Sequence, residues 1–281
     1  MDLQAKKILH INLEKQISEV KTLPDLNKFV GGVGVGLKLL ETLKPYDPVA
    51  FSVGPLNGFF PFVSKTSVVL FNEGAVEDLY IGGTLSTRIR FAGIDSIVLL
   101  GKASQPTTLY IENEHVLFCP QNTQIESLGL PGKRSVLETR EDNVILDGYF
   151  LPPEKFLSTK LQRKNVEGFV VTGTQIRTVP NFEKYKELYS DILARTRELN
   201  VEKGFFPSCS GCPMGCAKSK VGEIGGNVLI HSLVACHLAQ DIYTNVSTTF
   251  SCLNVLGYDY THEDLEGLPK LIKETLKTLH E

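Results

Sequence analysis

Between Ser208 and Lys218 the chain reads S-C-S-G-C-P-M-G-C-A-K, which sets Cys209, Cys212 and Cys216 at i, i+3 and i+7. Thiolates at that spacing converge on one small volume. Gly211 and Gly215 let the backbone fold tightly and Pro213 stiffens it, so backbone N–H groups can donate to inorganic sulfides. This is the donor arrangement of an iron-sulfur cluster, [4Fe-4S] or an incomplete form of it. Zinc usually takes two C-x-x-C pairs or a C-x-x-C with a histidine pair. One C-x-x-C is present here, and His231, Cys236 and His237 could complete such a site. Three buried structural cysteines are the remaining alternative. For a fourth thiolate, Cys236 in L-V-A-C-H-L-A is the candidate within this chain, twenty residues after Cys216. Cys119 ends a strand-like run and Cys252 lies in a helix-like one. Otherwise the fourth position falls to a non-cysteine ligand, to a partner chain, or to nothing.

Two glycine-bearing stretches are candidate anion sites. Gly31 to Gly36 reads G-G-V-G-V-G, but the G-x-G-x-x-G fingerprint fails from either start because Leu37 or Leu39 stands at the last glycine position. The run reads either as a loop whose amides meet an anion at the start of a helix over Leu37 to Leu43, or as a tight turn between two helices. Gly82 and Gly83 precede a short polar helix over Thr84 to Phe91 that bears Arg88 and Arg90, with a solvated helix as the plainer reading. Of the histidines, His231 in L-I-H-S-L-V has an apolar setting, where a satisfied core histidine is the usual outcome. No P-loop, H-E-x-x-H or G-x-S-x-G pattern occurs.

The elements that must position these residues divide near residue 178. Before it, strand-like runs at Lys7 to Leu13, Gln16 to Val20, Val49 to Val53, Ser67 to Phe71, Ser96 to Leu100, Thr107 to Ile111 and Val116 to Cys119 arrive too closely for a helix between every pair. After it, Asn181 is a good cap for an amphipathic helix reaching about Asn200. Val228 to Ala239 and Thr248 to Leu256 read as buried helices. A T-x-x-D signature opens a last helix with a stripe at Leu265, Leu268, Ile272, Leu276 and Leu279. The expected class is α+β: a β-rich domain over 1–178 with inserted helices, then a smaller helical region over 179–281 that carries the cysteines.

A net charge of -3 over 281 residues gives no basic surface and no call for nucleic acid. The apolar runs are too short for a membrane span. Six cysteines, three of them bunched, suit a reducing, cytoplasmic setting.

The order of motifs carries a resemblance. F-V-G-G-V-G-V-G-L-K-L-L, V-G-P-L-N-G, S-K-T-S-V-V, G-G-T-L-S-T-R-I-R-F-A-G-I-D-S-I-V-L-L-G-K-A, R-K-N-V-E-G-F-V-V-T-G and C-x-x-C-P-x-G-C follow one another along essentially the whole chain. Together they resemble the aldehyde ferredoxin oxidoreductase family, most specifically over residues 91–103. The resemblance implies a first domain of two packed β-sheets that forms a base for pterins, with helical domains above it. It also implies a tungsten, or in some relatives molybdenum, bis-pterin cofactor beside a [4Fe-4S] cluster.

The departures fall on the cofactor side. Val33 and Lys65 stand where the family has arginines, and Lys65 keeps the charge without the bidentate fork. Leu79, Tyr80 and Ile81 replace small or polar residues before Gly82 and Gly83. P-P-E-K-F-L-S-T-K-L-Q, at 152–162, replaces a glycine-rich loop that admits a pterin phosphate. His231 aligns with an acidic residue near the metal. The family also continues for several hundred residues beyond this sequence. The expectation is therefore an iron-sulfur redox or accessory subunit in which Lys65, Gly82 and Gly83 are a degenerate pterin platform and no tungstopterin is held by this chain alone. It should pair with a protein partner, a full-length paralogue or a ferredoxin, or with a second copy. The alternatives are a pterin oxidoreductase of aldehydes whose missing half is supplied in trans, and a cofactor-free interaction scaffold.

Overall fold

The computed structural model describes residues 3–120, 123–149, 151–152, 154–198 and 227–280. Two mixed sheets and a layer of helices make up the fold, consistent with the α+β expectation. The first sheet has the order β2-β1-β6-β3-β4-β5, built from β1 Lys6–Asn12, β2 Ile17–Leu23, β3 Val49–Ser52, β4 Thr66–Asn72, β5 Ala75–Ile81 and β6 Ser96–Leu100. Its one parallel pair is β1 with β6. The second has the order β10-β9-β11-β7-β8, from β7 Thr107–Glu112, β8 His115–Cys119, β9 Arg134–Thr139, β10 Val144–Leu146 and β11 Val166–Thr172. Its parallel pair is β11 with β7.

The period of two along each strand decides which layer a side chain enters. Leu9, Ile11, Val49, Phe51, Val68, Leu70, Ile97 and Leu99 pack toward Leu109, Ile111, Leu137, Phe169 and Val171 of the second sheet. The rings of Phe51 and Phe169 meet edge to face at 5.0 Å. The alternate residues Ile8, Ala50, Val69, Tyr80, Val98 and Leu100 face the helical layer. Strands β3 and β6 therefore read as continuous apolar runs, because both of their faces are covered.

Helices α1 Gly32–Leu43, α2 Leu85–Phe91, α3 Phe156–Arg163, α4 Phe182–Ala194, α5 Val228–Leu233, α6 Gln240–Tyr243, α7 Val246–Val255 and α8 His262–His280 complete the described part. Several differ from expectation. Helix α1 begins at Gly32, five residues early, so the glycine run forms its first turns instead of a loop. The expected helix over Val228 to Ala239 breaks after Leu233, because Val234 turns left-handed at φ 54. The bulky 152–162 stretch folds into α3, which buries Leu157 and Leu161 against the sheets. Helix α4 is capped by Asn181 as expected but stops at Ala194. Of its apolar stripe only Ile192 is buried, while Phe182 and Leu193 stay exposed.

The cap of α8 is reciprocal. Asp264 Oδ2 accepts from the Thr261 N–H and hydroxyl at 2.7 and 2.8 Å, and the Asp264 N–H donates back to Thr261 Oγ1 at 3.1 Å.

Candidate functional site

A polar cluster lies where the β4–β5 hairpin meets α5. Lys65 precedes β4, and its backbone N–H donates to Val234 O at 3.3 Å. Val63 bridges Ala235, and the Cys236 N–H donates to Phe62 O at 2.6 Å, so residues 62–65 run antiparallel to 234–236. This zipper sets Lys65 under the end of α5 and holds Cys236 at the rim of the same region. On β5, Asp78 and Tyr80 lie two positions apart on the face toward the helices, with Tyr80 opposite Ser67. Helix α5 brings His231 down onto them. The Tyr80 phenol oxygen lies 2.7 Å from His231 Nδ1, and Asp78 Oδ2 is 3.9 Å from the same nitrogen. The His237 ring stands 4.9 Å from that of His231. Lys65, Asp78, Tyr80 and His231 are all buried.

Burial disfavours charge on the imidazole, and His237 and Lys65 add to that, so the pKa of His231 falls to about 3 despite the nearby Asp78 carboxylate. Burial and Asp78 together push the Tyr80 phenol well above its ordinary value. A neutral imidazole and a neutral phenol thus share one hydrogen bond, beside a lysine and an aspartate of opposite charge. No group of three or more His, Cys, Asp or Glu side chains able to hold a metal ion occurs among the described residues.

The glycine runs are occupied by the chain's own backbone. A Cβ on Gly32 would lie 2.3 Å from His231 O, and one on Gly54 would lie 2.2 Å from Leu233 O. The first turn of α1, positive by its peptide dipoles, packs against the last carbonyls of α5, which are negative. Gly82 and Gly83 are buried. The helix start after them already has its anion: Asp147 Oδ2 accepts from the Thr84 N–H at 2.7 Å and from its hydroxyl at 2.9 Å. Asp147 Oδ1 accepts from Ser135 Oγ and the Val136 N–H. The two arginines that could serve an anion there diverge. Arg88 donates to Gly132 O, whereas Arg90 is buried against Asp95, Pro55 O and the Tyr258 hydroxyl.

Tested against a pterin, these residues do not fit. Close backbone approach to a phosphate needs open glycines and unused N–H groups. Gly32 is closed by the α5 backbone, Gly34 by Phe29 O and Gly36 by the Val69 side chain, while the Thr84 N–H and hydroxyl are spent on Asp147.

Cys209, Cys212 and Cys216 lie outside the described residues. Cys236 is half-buried. Cys252 is buried in α7, where burial pushes its thiol up to about 12, and Cys119 is raised by burial at the end of β8. Neither is prone to form a thiolate. Reading the sequence alone passed over Asp78 and Asp147. The signal for the first was a carboxylate two residues before Tyr80 in an otherwise apolar strand end. The second had only a turn-like D-G to mark it.

These residues lie in a sandwich of two mixed sheets with helices laid over one face of the first. Residues 8–141 match the family described as aldehyde ferredoxin oxidoreductase, N-terminal domain, and this part of the chain is such a domain. Among curated relatives, the aliphatic sulfonate oxidoreductase, WOR-like subunit, of Pyrococcus furiosus is 32% identical over 39% of this chain and 20% of its own length. The tungsten-containing aldehyde ferredoxin oxidoreductases of Pyrococcus horikoshii and Pyrococcus abyssi are each 23% identical over 72% of this chain and 38% of theirs. The chain thus spans well under half the length of these relatives. Among solved structures, the active site complex BamBC of benzoyl coenzyme A reductase superposes with a TM-score of 0.59 at 19% identity. That match covers 72% of this chain and 36% of the other, a likeness of fold.

Proposed function

We propose that this chain is an accessory iron-sulfur subunit of an aldehyde ferredoxin oxidoreductase-type system, holding a cluster on Cys209, Cys212 and Cys216 and building no tungstopterin site of its own. The observation that carries this is the closed platform. The α5 backbone and neighbouring residues press on Gly32, Gly34 and Gly36, and the Asp147 carboxylate takes the Thr84 donors that would otherwise face a phosphate. The three-cysteine spacing supports the cluster, and the WOR-like subunit among the relatives supports a role beside another polypeptide. That partner is a full-length paralogue or a ferredoxin.

The test is elemental. Protein purified without oxygen from a host supplied with iron, tungsten and molybdenum is assayed for iron, acid-labile sulfide and both heavier metals. Iron with matching sulfide, and tungsten and molybdenum far below one per chain, is the expected result. Near-stoichiometric tungsten would favour a pterin enzyme completed in trans. Protein free of iron and sulfide under the same conditions would favour a cofactor-free scaffold.

A further inference from the structure

We propose that the cavity between α2, the 55–59 turn and the 175–180 connection is a binding site for a small organic carboxylate with an apolar body, gripped by Arg177. The cavity measures about 520 Å³, within the usual range for small-molecule sites of roughly 300–1,000 Å³. It lies apart from the His231 cluster and shares no residue with it.

The first argument is charge. Lys6, Arg90 and Arg177 gather around Tyr258. The Lys6 ammonium lies 5.3 Å from its ring centre, and its hydroxyl accepts from Arg90 Nη2 at 3.0 Å and from Arg177 Nη1 at 2.9 Å. Asp95 pairs with Arg90 at 2.6 Å, and among the described residues no ion pair forms to Lys6 or Arg177. Two buried cations, Lys6 and Arg90, and the half-buried Arg177 outnumber the anion beside them; that excess is costly and a bound anion relieves it. Burial by itself pushes the Tyr258 phenol up, yet Arg90, Lys6 and Arg177 outweigh it and hold the phenol below its ordinary value, as an anion-seeking environment does.

The second argument is geometry. Arg177 spends one N–H on Tyr258 and one on Leu256 O, with its guanidinium stacked 4.7 Å from the Tyr258 ring centre and 5.4 Å from that of Phe59. A guanidinium has five N–H donors, so the fork retains unused ones for a planar, two-oxygen acceptor. Thr87 and Gln175 add polar groups to the wall.

The third argument concerns the body of the ligand. Phe91, 42% exposed, and Ile176, 91% exposed, stand at the cavity as apolar side chains left to solvent. Pro180 adds to that exposed surface, and the half-buried Phe59 and buried Leu256 continue it inward. An aromatic or short aliphatic acid matches a cationic end and an apolar lip; a bare inorganic anion matches only the first.

The test uses the full chain, with benzoate as probe and benzamide as its neutral counterpart, in titration calorimetry at low salt. Benzoate should saturate one site at least about tenfold more tightly than benzamide or inorganic phosphate, the ratio expected when a charge-assisted pair or an apolar contact is lost. Arg177→Leu should lower benzoate affinity by at least about tenfold. Because Arg177 also ties Leu256, Ile176→Glu serves as the variant that leaves the fold alone: it sets a negative charge at the mouth and should weaken benzoate as much, while Ile176→Gln should not. As an independent readout, bound benzoate and the Tyr258 phenolate compete for the same cations, so benzoate should move the tyrosinate absorption step to higher pH. Equal binding of benzoate and benzamide, phosphate binding as tightly as benzoate, full benzoate affinity in Ile176→Glu, or no saturable binding would each overturn the proposal.

Discussion

Tyr80 and His231 meet through a 2.7 Å hydrogen bond between the phenol oxygen and Nδ1, although 151 positions separate them in the chain. This bond pins α5 to the first sheet and makes the junction sensitive to acid. His231 titrates near 3 when folded and near 6.5 when unfolded. Between those values the unfolded state binds the extra proton, so stability is full above pH 6.5 and falls as the pH drops toward 3. Urea midpoints measured from pH 7 to 4 should decline, and His231→Gln should flatten the decline. Parallel curves for the two proteins would refute it.

Removing the phenol hydroxyl is the companion experiment. Tyr80→Phe leaves a buried imidazole nitrogen without its partner, which costs about 1–3 kcal/mol. The loss should appear in equilibrium unfolding at pH 7.

Asp147 gathers Thr84, Ser135 and Val136 at the start of α2. Its own φ of 54 is a left-handed conformation that asparagine also tolerates. Asp147→Ala should therefore cost about 2–4 kcal/mol from lost acceptors and backbone strain, and Asp147→Asn clearly less. Comparable losses in the two variants would show that the hydrogen bonds are not the source.

Gly32 and Gly74 both have positive φ, 44 and 86, but only Gly32 is pressed against another backbone. Gly32→Ala should be destabilising by several kcal/mol, because α1 and α5 must part to admit the methyl group. Gly74→Ala in its open turn should cost about 1 kcal/mol. Thermal melts of the two variants side by side decide the matter.

The buried Lys164 ammonium donates to Gly101 O at 2.9 Å and to Asp47 O, with the Asp47 carboxylate 3.2 Å away. Burial nonetheless lowers its pKa to about 8 from 10.5, with Asp47 opposing the shift. From pH 8 to 10.5 the folded protein has released a proton that the unfolded chain keeps, so stability should rise with pH across that window. Lys164→Met should lose this rise when unfolding is followed from pH 8 to 10.

For the cluster, serine in place of Cys209, Cys212 or Cys216 should abolish the visible absorption of anoxically reconstituted protein, while Cys236→Ser should leave it unchanged. A Cys236 variant as colourless as the other three would identify the fourth ligand.

Strands announced themselves in the sequence wherever apolar runs or alternation were unbroken, as in Ser96 to Leu100 and Lys7 to Leu13. Strand β5 was not seen because Glu77 and Asp78 interrupt it, and Asp78 is tolerated there only by a neighbourhood the chain assembles from afar. Helix α3 was hidden by short length and a polar surface; its two buried leucines reveal a helix only once the sheets exist. Propensity alone favours a loop at the glycine run, yet close packing on α5 favours a helix there with glycine at Gly32, Gly34 and Gly36. Local signatures with their own hydrogen bonds, the Thr261–Asp264 box and the Asn181 cap, were legible without tertiary context. The site itself was legible only in fragments. Lys65, His231 and Cys236 could be singled out, but no local pattern ties Tyr80 or Asp78 to them.

Strand β6 runs down the middle of the first sheet, between β1 and β3, and pairs in parallel with β1. The hairpins β1–β2 and β3–β4–β5 can form as local units, but they cannot join until residues 96–100 arrive between them. Even then the first strand waits, because its buried Lys6 ammonium finds its acceptor in the Tyr260 hydroxyl, 254 positions downstream. Pairings at such separation carry a loop-closure cost before they return anything, which slows folding. During synthesis, at about 5–20 residues per second, β1 is therefore exposed for on the order of ten seconds or more with an unpaired edge and an unmatched charge. The β1–β2 hairpin covers only one edge of β1, so until residues 96–100 emerge its other edge stays open to pairing with another chain.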